Sequence, residues 1–272
     1  MKKYFYFCLL PFGFAVACSS RTLKIDPNII LIKDNNFEKA LIAEKIDSDG
    51  IINGQMTVLD AKDVKVLSLP NLQIKSLAGI EGFKSLTYLD CSLNQITDID
   101  VSQNSFLESF DCSSNQLLKI NLTNNLNLAA LNCSNNQLKE LMLKSPQLSA
   151  ITANNNLLVS ISVEASPRLI QLNLSNNKLK SLNLSNNTAL AELKCNNNKL
   201  VSLDLSKNIK LRNLDVSNNA LTTLELCNNV GILKLACSTN NISKIVISKQ
   251  IQTLFIEKTA SVDSQTTYSI CD

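Results

Sequence analysis

Across 272 residues the chain has no Trp, no His and only 5% aromatic side chains, so a core would have to be built from aliphatic and thiol groups in many small, similar layers. Of its 26 basic residues, Lys2 and Lys3 fall in a leader-like segment, which leaves 24 against 23 acidic ones and no basic footprint for nucleic acid. The missing His also removes the side chain that most often serves as a base near neutral pH.

The first element in chain order is a short basic start followed by an apolar stretch from Tyr4 to Ala17, interrupted by Pro11 and Gly13. It is too short for a stable membrane-spanning helix and reads as a secretory leader over 1–17. Its end, Ala15-Val16-Ala17-Cys18, resembles the bacterial lipobox, in which the Cys thiol takes a diacylglycerol and becomes the new N-terminus. Ala15 stands where that pattern prefers Leu, and the other reading is ordinary leader cleavage near Ala17 that leaves Cys18 a free thiol. Two acyl chains would suffice for stable anchoring, since each buried methylene contributes about 0.8 kcal/mol. Ser19 resembles the outer-membrane form of the lipoprotein sorting signal. The expected location is therefore the cell envelope, as an outer-membrane lipoprotein facing the periplasm or the cell surface.

A tether is expected over 18–33 and an N-terminal cap over 34–85. In the cap, Asp34 or Asn36 can start a short helix with Phe37, Ala40 and Leu41 on one face, followed by apolar segments around Val58 and Val66-Leu67.

From Leu86 the chain repeats itself with a period of 21 residues and one 20-residue copy. Copies begin at Leu86, Leu107, Leu128, Leu148, Leu169, Leu190, Leu211 and Ile232. The ninth place of all eight is Asn: Asn94, Asn115, Asn136, Asn156, Asn177, Asn198, Asn219 and Asn240. With apolar residues at places one, four, six, eleven, fourteen and sixteen, this is the pattern of the leucine-rich repeat. Places four and six alternate with exposed ones, as a short strand requires, and the strands of successive copies stack as a parallel sheet. An inward Asn amide can both donate to and accept from backbone groups stranded where the chain turns inward, so the eight form a ladder. The second half of a copy, such as Ile99-Asp100-Val101 or Leu203-Asp204-Leu205, repeats the alternation and predicts a short extended segment on the opposite wall.

The expected fold is thus a leucine-rich-repeat solenoid: a curved right-handed coil, predominantly β, with a parallel sheet on its concave face and a short helical N-terminal cap. Eight repeats span 86–247, an array on the order of 40 Å long. A C-terminal cap is expected over 248–272, where Ile251, Leu254 and Ile256 predict a last strand.

The segments DNNFEKALIAEKIDSDGIING and IKSLAGIEGFKSLTYLDCSLNQITDIDVSQN resemble the secreted leucine-rich-repeat proteins of Bacteroidetes, particularly flavobacteria. The resemblance covers residues 34–272. Such proteins are similar in design to internalins, though internalin repeats are typically one residue longer, and the resemblance implies a surface or secreted binding protein.

Five Cys, at positions 91, 112, 133, 195 and 237, occupy place six, where sister copies carry Leu174, Val216 and Ala153, so they read as core thiols. A disulfide framework is the rival reading, disfavoured by the parallel Cβ vectors of a ladder. A thiolate metal site lacks His and any C-x-x-C pair. Cys227 and Cys271 stand outside the ladder and could pair only if the C-terminal cap folds back. Asp47-Ser48-Asp49-Gly50 matches the start of a calcium loop, but Lys45 and Met56 stand where its first acid and closing Glu belong, and a plain turn is expected. No metal or cofactor is expected. No nucleophile elbow or Gly-rich phosphate loop occurs, and carboxylates such as Asp98 and Asp100 read as solvated positions, so the expectation is a protein that is not an enzyme.

The surface left for function is the row of exposed strand places: Tyr88, Asp90, Asp111, Asn132, Thr152, Asn173, Glu192, Lys194 and Asp215. Among them Tyr88, beside Asp90 and Asp111, is the one residue of a type favoured at protein-binding hot spots. The expected partner is an unidentified protein or glycan, with the membrane reached through the N-terminal lipid. A ligand-binding module comes first, a passive envelope spacer second, and a carboxylate-dependent enzyme last.

Overall fold

The computed structural model describes residues 26–257 and 259–271. The leader, Cys18 and the first part of the tether lie outside them.

Nine short strands form one parallel sheet, running from Val66–Ser68 through Tyr88–Asp90 to Lys234–Ala236. Each has one buried side chain between two outward ones, the alternation expected of a sheet with one face on the core. Register never slips: Tyr88 lies opposite Ser109, Ser109 opposite Ala130, and so on to Asn213 opposite Lys234. The 20-residue copy is absorbed outside the strands, because Ala130 still pairs with Ala150.

The first rung, Val66–Ser68, precedes the first full repeat and falls within the span read as cap. The apolar pair noticed there, Val66-Leu67, supplies it: Leu67 is buried and Val66 exposed. Asn94 ties this rung to the array, donating to the carbonyl of Leu69 at 2.7 Å and accepting from the N–H groups of Leu72 and Ile74, both at 3.0 Å.

The rest of the N-terminal unit closes the core. A helix over Asn35–Ala43 is capped by Asp34, whose Oδ1 accepts from the N–H groups of Asn36 and Phe37. It buries Phe37 and Leu41, with Phe37 facing Phe83 at a ring separation of 6.4 Å. The strand pair Ile29–Leu31 and Gln55–Thr57 lies beside it. Gly79 holds φ at 109°, and a Cβ there would come within 2.9 Å of the Leu31 carbonyl, so both conformation and space demand glycine.

All eight place-nine Asn side chains form the expected ladder. Asn115 is typical: Nδ2 donates to the carbonyl of Cys91 on the previous rung at 2.9 Å, and Oδ1 accepts from Ile96 N–H at 2.9 Å. The residue before each ladder Asn makes the inward turn in the left-handed region, with φ between 52° and 58° from Leu93 to Thr239. Asn fills that place in five of these eight turns, at 135, 155, 176, 197 and 218, because its short amide tolerates the conformation.

A second ladder was not foreseen. Asn104, Asn125, Asn187, Asn208 and Asn229 are completely buried at the far turn, with Ser145 and Ser166 in the two middle copies. Asn125 Nδ2 donates to the carbonyls of Val101 and Asn104, both at 3.0 Å. These side chains satisfy carbonyls where the chain returns toward the sheet.

The opposite wall pairs as strands only in places: Lys119–Leu122 with Glu140–Leu143, and Leu224–Leu226 with Lys244–Ile247 and Thr267–Ile270. Neither Ile99–Val101 nor Leu203–Leu205 is a strand, although Val101, Leu203 and Leu205 are buried as expected.

The C-terminal expectation is corrected. Ile251 belongs to a 3₁₀ turn over Lys249–Ile251, and Leu254 and Ile256 to a one-turn helix over Thr253–Ile256. The three-residue step from Ile251 to Leu254 fits a helical turn better than strand alternation, and Ile256 is left exposed. The last rung is made further on: Ser261 bridges Ala236 on the sheet side, and Thr267–Ile270 adds to the opposite wall. That return brings Cys271 to Cys227, and the two form a disulfide.

Candidate binding face

The unshifted register sets places three and five of successive repeats into two straight columns on the open face of the sheet. Tyr88 and Asp90 share one strand, and Asp111 stands opposite Asp90 on the next, so these three form one continuous patch. Asn132, Thr152, Asn173, Lys194 and Asp215 continue the place-five column, and Glu192 stands beside Lys194 in the place-three column.

Place five does two jobs at once. Asp111 Oδ1 accepts from the N–H and hydroxyl of Ser113, at 2.9 and 2.6 Å, and Asp215 and Asn173 do the same with Ser217 and Ser175. One oxygen thus fixes the end of the strand while the rest of the group looks outward. The outward Oδ2 of Asp111 accepts from Asn132 Nδ2 at 2.8 Å, which braces these two rungs against each other. Such bracing orders the side chains before a ligand arrives and lowers the entropic cost of binding.

Behind the columns, Cys91, Cys112, Cys133, Cys195 and Cys237 are buried and unbonded to one another. Burial pushes their thiols up, with the Asp111 carboxylate adding to the effect at Cys133, which reaches about 12. They therefore contribute packing to the face rather than reactivity. Among the described residues no group of three or more acidic or thiol side chains is placed to hold a metal ion.

The face is not uniform. Toward the C-terminal end it deepens into a hollow of about 530 Å³ lined by Glu192, Lys194, Asn213, Asp215, Lys234, Thr259 and Ser261, among others. A smaller one of about 160 Å³, lined by Thr152, Gln171 and Asn173, adjoins it and shares Glu192 and Lys194. Lys194 is paired with Glu192 at 2.8 Å. Lys234 continues the place-three column opposite Asn213, whereas Thr259 and Ser261 carried no periodic signal, since they lie outside the repeats.

No family model matches the chain, and no curated protein matches it. Solved structures do. The functional domain of InlJ from Listeria monocytogenes, a structure that includes a cysteine ladder, superposes with a TM-score of 0.61 at 23% identity over 89% of this chain. A leucine-rich-repeat protein of Leptospira interrogans gives 0.50 at 19% over 73%. The ectodomain of a plant membrane receptor kinase from Arabidopsis thaliana, solved with Casparian strip integrity factor 2, gives 0.61 at 22% over 73%.

The chain is a leucine-rich-repeat solenoid. It spans 61% of the InlJ domain, 64% of the Leptospira protein and 27% of the receptor ectodomain. At these identities the likeness is one of fold, internalin-like in its architecture. The thiol column at place six of this leucine-rich-repeat chain has a counterpart in name in the cysteine ladder of InlJ.

Proposed function

We propose that this chain is a non-enzymatic, lipid-anchored protein of the cell envelope whose concave face binds a protein or peptide partner. The observation that carries the reading is the pair of continuous, outward columns from Tyr88 and Asp90 to Lys234, held in register along the sheet and braced between Asp111 and Asn132. A solved plant peptide hormone receptor in complex with RGF2, similar to this chain in fold, supports a polypeptide partner over a glycan. The anchor at Cys18 rests on the leader sequence. It would hold the solenoid at the membrane through the segment preceding the cap.

Two measurements test this. Intact mass of the membrane-extracted protein is expected to show a diacylated N-terminal Cys18, with Cys18→Ala released from the membrane; an unmodified protein in the medium removes the anchor. A photo-crosslinking amino acid placed at Asn132 or Asn173 on whole cells is expected to give discrete polypeptide adducts, while the same group at Lys119, exposed on the opposite-wall strand Lys119–Leu122, gives none. Adducts from the opposite wall alone would move the binding surface, and adducts that carry glycan but no polypeptide would change the partner's class.

A further inference from the structure

We infer that the N-terminal cap rests on the lipid surface itself, through an apolar face made by Ile29, Leu31, Ile51, Ile52, Val58 and Leu59. The inference rests on the anchored reading above and adds to it a contact that sets how the solenoid stands.

The face follows from the way the two strands of the cap pair. Ile29–Leu31 runs antiparallel to Gln55–Thr57, with Ile29 opposite Thr57 and Leu31 opposite Gln55. Alternation turns Ile30 and Met56 inward, where both are buried. Ile30 and Ile32 pack against Gly79 and Gly82 so closely that a Cβ at either glycine would meet them. The other side of the pair is therefore turned away from the first rung, and on it Leu31 is exposed and Ile29 half-buried.

Apolar residues extend this side at both ends. Val58 N–H donates to the Asn28 carbonyl at 2.8 Å, which sets Val58 and Leu59 beside the start of the first strand. Ile32 N–H donates to the Gly54 carbonyl at 2.9 Å, which brings the Ile51-Ile52 turn near its end. Leu59 is 77% exposed, Ile51 60% and Ile52 46%. Large aliphatic side chains left bare at adjoining places mark a surface that meets a membrane or another molecule.

The length of chain before the cap decides which. Seven residues, Ser19 to Ile25, separate Cys18 from Asp26. Eight steps of at most ~3.5 Å keep Asp26 within roughly 28 Å of the lipid-bearing residue. Asp26 in turn is tied to the face, its carbonyl accepting from Ile29 N–H at 3.0 Å. The apolar side of the cap is thus the part of the molecule joined most directly to the anchor. Its border is of mixed charge, with Asp49 before Ile51 and Lys33 and Lys62 following Leu31 and Leu59, all three exposed. Such a border suits a zwitterionic surface met by apolar burial. A cap seated this way sends the columns of the sheet away from the membrane and leaves the concave face clear for a partner.

Because the chain has no Trp, a single introduced one reports without background. The diacylated full chain is reconstituted into phosphatidylcholine vesicles, and quenching is read with phosphatidylcholine brominated near the top of its acyl chains. Ile51→Trp and Leu59→Trp are each expected to lose about half their emission, since an apolar side chain at the interface reaches ~5–10 Å into the headgroup and acyl boundary. Ile209→Trp, at a position 56% exposed beside the far turn of the sixth full copy, is expected to lose almost none. Adding Leu59→Asp to the Ile51→Trp chain is expected to restore most of the emission; unchanged quenching would mean that the Trp inserts on its own account and would overturn the shared face. Quenching of Ile209→Trp equal to that of Ile51→Trp would overturn the end-on contact in favour of a coil lying on its flank. A chain that floats with the vesicles but is quenched at no position would overturn the contact and leave the anchor standing. A chain recovered without the diacyl mass, and left behind when the vesicles float, would remove anchor and contact together.

Discussion

Cys271 is bonded to Cys227 across the last two turns of the coil, with Cα atoms 5.9 Å apart. The bond closes a loop with a sequence separation of 44 and fixes the Thr267–Ile270 strand at the open end of the array. Loop-closure entropy for that length corresponds to roughly 4 kcal/mol. Replacing both residues by Ser is expected to lower the urea midpoint accordingly and to free the amides of 267–270 for hydrogen exchange before those of the central strands. An unchanged midpoint would mean that parallel pairing alone holds the end.

The two ladders make opposite demands on substitution. Asn136 serves four backbone groups: it donates to the carbonyls of Cys112, Cys133 and Ser134 and accepts from Leu117 N–H. Asn136→Ala strands a buried N–H and is expected to cost about 3 kcal/mol in chemical denaturation. Asn125→Ser in the second ladder is expected to cost under about 1 kcal/mol. Its partner in kind, Ser166, already donates to the carbonyl of Ser145 at 2.9 Å, as Asn125 does to that of Asn104. Equal losses at the two sites would show that the ladders are equivalent.

The place-six thiols are expected to be inert. With Cys133 and Cys237 pushed up to about 12 by burial, and Cys112 held well above the usual thiol range for the same reason, iodoacetamide at pH 8 should label none of the five in the native protein and all five in urea. Cys195→Val should change stability by less than about 1.5 kcal/mol, because Val216 fills the same place one rung on. Rapid native labelling of any one would reveal local opening there.

Asp47 sets a pH dependence. Its carboxyl is buried without a side-chain partner, and burial, reinforced by the charge of Asp49 and only partly offset by the Asp49 backbone N–H, raises its pKa above the ordinary 3.8. The native state therefore holds this proton more tightly than the unfolded chain. Ionised Asp47 opposes folding above its folded-state pKa, and the penalty vanishes as pH falls through that value toward 3.8. Asp47→Asn is expected to be more stable than the natural chain at pH 7 by about 1 kcal/mol, with the gap closing as the solution is acidified. Denaturation curves at pH 7 and in the carboxylate range check it; a natural chain equal to the variant at pH 7 would mean that Asp47 has found a partner.

What the sequence disclosed follows from what repeats. A residue type recurring every 21 positions marks a place in every rung, so the sheet, its register and the place-nine ladder could be read from Leu86 onward. The second ladder repeats equally but was hidden, because Ser145 and Ser166 interrupt it and its Asn residues sit among other Asn of the turns. Features made once have no such signal. The rung at Val66–Ser68 lacks the full repeat phrase, and the helix over Thr253–Ile256 depends on packing against the last turn. The columns of the face were legible for the same reason as the core. Its depth was not, because the hollow is made by joining a repeat, at Lys234, to a segment outside the repeats, at Ser261.

Asp263 has a consequence for assembly. Its two carboxylate oxygens accept from the N–H groups of Thr239 and Asn240, at 2.7 and 3.1 Å, where a further repeat would otherwise have hydrogen-bonded. An uncovered Lys234–Ala236 strand would be a growing tip, able to template a neighbouring molecule edge to edge into a filament. Ser261 covers the edge of that strand and Asp263 occupies the donors of the turn beyond it, so together they act as a chain terminator in the polymer sense on a modular coil whose units could in principle be added indefinitely.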